Sequence, residues 1–432
     1  MSFKQDFLWG SATASAQVEG AYLEGGRTVS IWDVAKKGQI KNDETPHVAS
    51  DQYHHVKEDV ALMKKLGLKS YRFSLSWSRI IPQQNVVNPE GIAYYNSLID
   101  ELLENGIEPL ITIYHWDTPL WIEEMGGWRS SAITAEFLMY VKTVAKAFSD
   151  RVRYWFVYNE PTAFITHGYT TGNCAPFICD PSLMRTCTLH MVQTHGQAVK
   201  VLRENALQPV KIGFAHAANA FIPNEESVAE IERAYWKTFN KGYGLEANAW
   251  YCDPLVAGKG VKVDENTYIS DEEAAAYFEP LDFLGVNVYA PCVDEEYDAS
   301  DKGRTSLDWI VDERGMYWVI RFFAQRYQLP IMVSENGAAY VDEVTEDGVK
   351  DPERIAFLKR YLGMVKRAVD EGIEVIGYQV WSFIDNFEWG SGYTPRFGII
   401  YCDYANNQRR ILKDSAHFYQ ETIAANGENL SS

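Results

Sequence analysis

The sequence predicts an α/β chain folded as a single (β/α)8 (TIM) barrel, on three observations. Short apolar runs of strand length recur eight times. Stretches of helical periodicity separate them. No Pro/Gly/Ser-rich linker, low-complexity tract or repeat breaks the series. One catalytic domain over residues 1–432 is therefore expected.

The runs are Phe7–Ala14, Lys69–Leu75, Glu108–His115, Arg153–Asn159, Val210–Ala215, Asp282–Tyr289, Pro330–Glu335 and Glu374–Phe383. Between the first two, Val56, Val60, Met63 and Leu66 fall on one helical face, and Gly67 stands where a left-handed C-cap is needed. Ile92, Tyr95, Leu98 and Leu102 with Gly106 repeat the device before the third run. Ile355, Leu358, Leu362, Val365 and Val369 with Gly372 repeat it before the eighth. An open doubly wound sheet is the alternative, but it carries a Gly-rich phosphate loop after its first strand. Here that strand reads Trp9-Gly10-Ser11-Ala12, without the required spacing.

Composition narrows the function. Lys and Arg total 40 against 59 Asp and Glu, a formal charge of −19 that repels phosphate backbones and anionic lipid. Neither nucleic acid nor a membrane is an expected partner, and a neutral small molecule is favoured as substrate. Asp6 interrupts any N-terminal apolar run, no window reaches the roughly 18 apolar residues of a membrane span, and a cytoplasmic protein is expected. The cysteines form no Cys-x-x-Cys pair. Cys174, Cys179 and Cys187 with His190 fit no common zinc spacing, so free thiols and no metal or cofactor are expected. The sequence leaves homo-oligomerisation open.

Barrel enzymes carry their chemistry at the carboxyl ends of the strands. The residues closing the runs are Gln17 and Glu19, Arg72, His115 and Trp116, Asn159 and Glu160, Asn287 and Tyr289, Glu335 and Asn336, and Trp381. Carboxylates, amides and aromatics dominate this set, which suits a sugar site. Glu160 and Glu335 end the fourth and seventh runs. Glycosidic cleavage needs one carboxyl to protonate the leaving oxygen and another to meet the positive charge developing at the anomeric carbon. Strands four and seven lie three apart in an eight-stranded barrel, so their tips can face each other. A separation of roughly 5–5.5 Å would allow direct attack with retention of configuration. Pro161 predicts an extended backbone at Glu160, keeping its carboxyl on the strand. A lone strand-end glutamate is as often a structural ion-pair partner; two, each beside an amide, argue otherwise.

At this point the sequence resembles the β-glucosidases of glycoside hydrolase family 1, from Phe7-Leu8-Trp9-Gly10 almost to the C-terminus. The resemblance rests on Gln17-Val18-Glu19-Gly20, Tyr71-Arg72-Phe73-Ser74, Tyr114-His115-Trp116-Asp117, Asn159-Glu160-Pro161, Glu335-Asn336-Gly337, Asp385-Asn386-Phe387-Glu388-Trp389 and Arg396-Phe397-Gly398, in that order. It implies a retaining exo-β-glucosidase with Glu160 as acid/base and Glu335 as nucleophile. Arg72 and Tyr289 would hydrogen-bond Glu335 and keep it ionised, while burial and the charge of Glu335 raise the pKa of Glu160. Gln17, His115, Asn159, Glu388 and Trp389 match contacts to the sugar hydroxyls, Asn159 at the 2-hydroxyl. Trp381 matches the floor under the ring, with a cis peptide expected after it. Trp116, Asn287 and Phe397, from the same strand ends and motifs, complete the expected substrate site.

Relatives acting on 6-phosphosugars place Ser and Lys in the loop that here presents Glu388 and Trp389, so a free 6-hydroxyl is implied. Glu160 argues against the thioglucosidase branch, where Gln replaces it. Thr162 replaces a Trp common in bacterial relatives, Phe177 replaces the Gly of Ala-Pro-Gly, and Val288 replaces a common Tyr. These departures bear on the aglycone entrance. A broad β-galactosidase or β-fucosidase, an endo-β-glucanase and a non-catalytic sugar-binding barrel are the competing readings.

Overall fold

A computed structural model describes residues 3–240, 248–346 and 348–431. Eight parallel strands close into a barrel: β1 (Leu8–Ala12), β2 (Ser70–Ser74), β3 (Glu108–Tyr114), β4 (Tyr154–Asn159), β5 (Lys211–Ala217), β6 (Leu284–Asn287), β7 (Ile331–Asn336) and β8 (Val375–Trp381). Neighbours in sequence are neighbours in the sheet, and β8 returns to pair with β1, Leu8 opposite Gly377 and Ala12 opposite Trp381. β4 and β7 therefore stand three strands apart. Each barrel strand coincides with one of the apolar runs to within two residues at either end, β5 and β7 running two and one residues past theirs.

Helices cover the outer face: α1 (Gln52–Lys65), α2 (Pro89–Glu104), α3 (Ala132–Phe148), α4 (Met184–Asn205), α5 (Val228–Phe239), α6 (Arg314–Tyr327), α7 (Pro352–Asp370) and α8 (Asp414–Ala424). Val60, Met63 and Leu66 are buried against the sheet, and Gly67 ends that turn at φ 74°. Gly106 and Gly372 do the same at 72° and 88°, values that cost a residue with a Cβ more than glycine. Asn88 caps α2 by accepting from the Glu90 amide, with Pro89 in the first turn, a motif worth about 1 kcal/mol. Among the described residues, no helix is long and apolar enough to cross a membrane.

The barrel interior is not open throughout. Leu110, Phe156, Ala215, Phe283 and Met332 meet inside it as a cluster separate from the core between strands and helices. This plug closes the lower barrel, and the Arg72 guanidinium rests on the Phe156 ring, 4.7 Å from its centroid. The cavity's polar side chains gather above this plug, at the carboxyl ends of the strands.

Short antiparallel hairpins, which the apolar-run pattern does not reveal, decorate the loops; one pairs Gly303–Arg304 with Ile310–Val311. The loop after β8 is pinned from behind. Asp385 accepts from Lys413 Nζ at 2.7 Å, Arg396 Nη1 at 2.5 Å and the Gly398 amide at 3.0 Å. Lys413 also reaches Asp342 at 2.6 Å, and Asp342, Asp385 and Lys413 are fully buried. Removing one member of such a buried pair costs about 3–5 kcal/mol, so this loop is held rigidly.

Candidate active site

A cavity of about 410 Å³ opens at the carboxyl ends of the strands. Glu160 and Glu335 both line it, with Tyr289, His115, Trp116, Asn287, Trp381, Glu388, Trp389 and Phe397. Arg72, Asn159 and Gln17 are buried and stand one side chain behind its wall. Glu19 and Asn336 face elsewhere. Glu19 pairs with Arg79 at 3.0 Å, and Asn336 bridges the Val288 carbonyl and the Tyr378 hydroxyl.

One hydrogen-bond network fixes the centre, and its polarity follows from Arg72, which can only donate. Arg72 Nη1 donates to Glu335 Oε1 at 2.6 Å and Nη2 to Asn159 Oδ1 at 2.8 Å. The remaining amide atom of Asn159 is therefore nitrogen, which donates to His115 Nε2 at 2.9 Å. His115 is buried and its pKa lies well below the usual value, through burial and then the Arg72 charge. A neutral ring that accepts at Nε2 carries its proton on Nδ1, and that buried atom has no hydrogen-bond partner among the described residues. The ring itself lines the cavity.

The same logic orients Asn287. Its Nδ2 donates to Asn159 Oδ1 at 3.0 Å and to Glu160 Oε1 at 2.7 Å, while its Oδ1 accepts from Ser334 Oγ at 2.6 Å. Tyr289 donates to the second oxygen of Glu335 at 2.7 Å. The two glutamates are thus tied into one lattice but in unlike surroundings. Glu335 has a guanidinium and a phenol on its oxygens. Glu160 has only an amide.

Their protonation reflects this. Burial, then the negative charge of Glu335, pushes Glu160 up to about 8, against the weaker pull of Asn287 and Arg72. Glu335 is also raised by burial, with Arg72 and Tyr289 pulling it back. The sequence reading gave weight only to the pull; desolvation outweighs it. Glu388 is likewise pushed up to about 8, by burial and then by Glu335 and Glu160, with Gln17 opposing. That shift favours its acid form near neutral pH. No lysine or arginine is among the described residues lining the cavity, so a phosphate dianion would find no counter-charge there.

The backbone at Glu160 corrects a second expectation. Instead of the extended conformation that Pro161 predicts, Glu160 has φ 44°. β4 ends at Asn159, where its register with β5 shifts, and the Glu160 amide donates to the Ala215 carbonyl at 2.8 Å while Trp116 Nε1 holds the Asn159 carbonyl at 2.9 Å. Those two bonds outweigh the local preference. Trp116 and Trp389 also adopt positive φ, 73° and 47°, an uncommon conformation for bulky residues. The Trp381–Ser382 peptide is cis, as the resemblance implies.

Aromatic contacts shape the walls. Trp116 and Trp389 lie 4.5 Å apart, and Trp32 supports Trp389 from behind at 4.6 Å. Phe177 abuts Trp32 at 5.7 Å and has φ 62°, the conformation expected where relatives carry glycine. Gln17 Nε2 donates to Asn386 Oδ1 and the Phe387 carbonyl at 3.1 and 2.8 Å, whereas its buried Oε1 lacks a partner among the described residues.

The sequence reading missed Trp309, Asn219, His167 and Cys174 as cavity residues. Trp309 reaches the mouth on the hairpin ending in Ile310–Val311, which has no periodic signal. Asn219 lies two residues beyond β5. Thr162–Thr170 forms a π-helix that presents His167, and such helices are frequent at functional sites. Of the loop cysteines, Cys187 is buried and Cys179 exposed, while His190 bonds the Trp128 carbonyl. Among the described residues no His/Cys/Asp/Glu group is arranged to hold a metal ion.

One buried carboxyl beside a cation and a second shielded from it are the two groups that glycosidic bond cleavage requires, and with this barrel they define a glycoside hydrolase. The chain belongs to glycosyl hydrolase family 1, whose profile matches residues 1–428. It is 38% identical to β-glucosidase A of Thermotoga maritima over 442 aligned residues, covering 98% of each chain. It is 36% identical to β-glucosidase A of Acetivibrio thermocellus, covering 99% of each. A structure of the β-glucosidase from Thermotoga maritima in complex with noeuromycin superposes with a TM-score of 0.89 at 36% identity, covering 99% of both chains.

Proposed function

We propose that the protein is a retaining, exo-acting β-glucosidase, working as one catalytic domain with Glu160 as acid/base and Glu335 as nucleophile. The observation that carries this is the unlike environment of the two carboxyls: Arg72 and Tyr289 on Glu335, a lone amide on Glu160. Glu335 attacks the anomeric carbon while protonated Glu160 gives its proton to the departing glycosidic oxygen. The C–O bond breaks, the aglycone leaves as a neutral alcohol, and a glucosyl ester forms on Glu335. Esterification removes the charge that raised the pKa of Glu160. Glu160, now a carboxylate, takes a proton from water, whose oxygen attacks the anomeric carbon and releases glucose of retained β configuration. The Nδ1–H of His115 and the Oε1 of Gln17, neither with a partner among the described residues, and the acid form of Glu388 complement sugar hydroxyls, and Trp381 supports the ring.

The first step needs Glu160 protonated, so kcat/KM for an unactivated glucoside is expected to fall as pH rises through about 8. Glu388 titrates in the same range. A pH profile of Glu388→Gln separates the two: the alkaline limb persists if Glu160 sets it and vanishes if Glu388 does. Products from cellohexaose test the exo reading, which predicts glucose first. Early cellobiose or cellotriose would favour an endo-glucanase.

A further inference from the structure

Gln17, one of the side chains assigned to the sugar hydroxyls, stands on a single helical turn, Ser15–Val18, shortly after β1. So short a turn has no intrahelical partners for its first amides, and its N-cap, Ala14, has no side-chain oxygen to accept from them. The neighbouring strands supply what the turn lacks. The Ser15 amide donates to Ser74 Oγ, at the end of β2, at 2.8 Å. The Ser74 hydroxyl donates to Ser15 Oγ at 3.1 Å, and the Ser15 hydroxyl donates to Asp117 Oδ2, just beyond β3, at 3.0 Å. All three residues are buried. The donors run in one direction and end on the carboxyl, an arrangement in which each bond polarises the next.

The catalytic steps leave this carboxyl unused. Asp117 does not line the cavity, and its Oδ1 has no hydrogen-bond partner among the described residues. Burial pushes its pKa up to about 8, against the Ser15 hydrogen bond, which favours the acid form near neutral pH. Its place in the chain is suggestive. Asp117 lies two residues beyond His115, and Ser74 two residues beyond Arg72. One relay therefore joins the three segments that carry Gln17, Arg72 and His115.

We propose that Asp117 is a positioning residue for substrate binding, holding through Ser15 the turn that presents Gln17. The proposal rests on the β-glucosidase reading above. On its other side the turn is tied to the loop after β8, where the Phe387 amide donates to the Gln17 carbonyl at 3.1 Å. Without Asp117 it keeps that tie but loses its hydrogen bond to the segment after β3. A displacement of about 1 Å at a positioning group costs up to about 10²-fold in rate.

The test measures kcat and KM of the full-length enzyme on 4-nitrophenyl β-glucoside for Asp117→Ala, Asp117→Asn and Ser15→Ala, each alone and combined with Gln17→Ala. Asp117→Ala is expected to lower kcat/KM by about tenfold or more. In the Gln17→Ala background the side chain it positions is gone, and the further loss is expected to fall below about twofold. Ser15→Ala keeps the carboxyl but cuts the relay at its middle, and it is expected to show the same non-additivity. Asn offers Ser15 the same acceptor, so Asp117→Asn is expected to stay within about threefold of wild type. Thermal melting of each variant separates lost fold from lost positioning, and Ser15→Ala carries the test if Asp117→Ala does not fold. Equal losses with and without Gln17, or Asp117→Asn as impaired as Asp117→Ala, would overturn the proposal and leave the β-glucosidase reading standing. A wild-type enzyme that cleaves no β-glucoside would overturn both.

Discussion

Glu335→Gly is expected to lower hydrolysis of aryl β-glucosides by roughly 10⁴-fold or more, the scale seen when a covalent nucleophile is removed. The substitution deletes the carboxylate that receives the hydrogen bonds of Arg72 and Tyr289 and leaves a small void beneath the anomeric position. α-Glucosyl fluoride carries its leaving group on that face. With the fluoride in the void, Glu160 can deprotonate an acceptor alcohol that attacks from the β face, and the β-glucoside product persists because the variant cannot cleave it. Fluoride release and accumulation of β-linked product check this. Turnover of an aryl β-glucoside at near wild-type rate would remove Glu335 from its role.

The second large effect is expected at Glu160→Ala, and it depends on the leaving group. A dinitrophenolate departs without protonation, so formation of the glucosyl ester survives. Cellobiose and alkyl glucosides need the proton, and their kcat/KM should drop by about 10²–10⁴-fold, the usual contribution of general acid catalysis. Hydrolysis of the ester also loses its base, so azide, a nucleophile that needs no deprotonation, should accelerate turnover of the dinitrophenyl glucoside and appear as β-glucosyl azide. Equal losses on activated and unactivated substrates, with no azide effect, would argue against an acid/base role. Ala in place of a buried carboxyl whose pKa stands near 8 removes a desolvated acid, so folding is not expected to suffer from lost charge pairing.

The barrel was legible because its strands are largely buried and read as short, mostly apolar runs, while the helices close on glycines that must take positive φ, as Gly67, Gly106 and Gly372 do. Much of the centre was legible too, since Arg72, Asn159 and Glu335 lie in motifs at or near the ends of β2, β4 and β7. What escaped was set by tertiary contacts. The φ of Glu160 follows from bonds to Ala215 and from Trp116 holding Asn159, partners that the Pro161 rule cannot include. The net rise of Glu335 and the acid form of Glu388 depend on how much water the folded cavity excludes and on three carboxyls sharing it. Trp309 and Asn219 reach the cavity from a two-residue strand pair and a loop, where no periodicity marks a residue as inward-facing.

The Asp385 lattice joins fold to chemistry in another way. Lys413, the residue just before α8, and Arg396 hold Asp385, whose neighbours Asn386 and Phe387 fix Gln17 and whose loop delivers Glu388 and Trp389. A buried ion network outside the cavity lining thereby holds the loop that carries Glu388 and Trp389.

Glu335 is expected to become covalently glucosylated during turnover. Incubation with 2-deoxy-2-fluoro-β-glucosyl fluoride, which slows both steps but keeps a good leaving group, followed by mass analysis of proteolytic peptides, tests it directly. A single 2-fluoroglucosyl adduct on Glu335 is the predicted result. An adduct on Glu160, or inactivation with no carboxyl adduct, would contradict it.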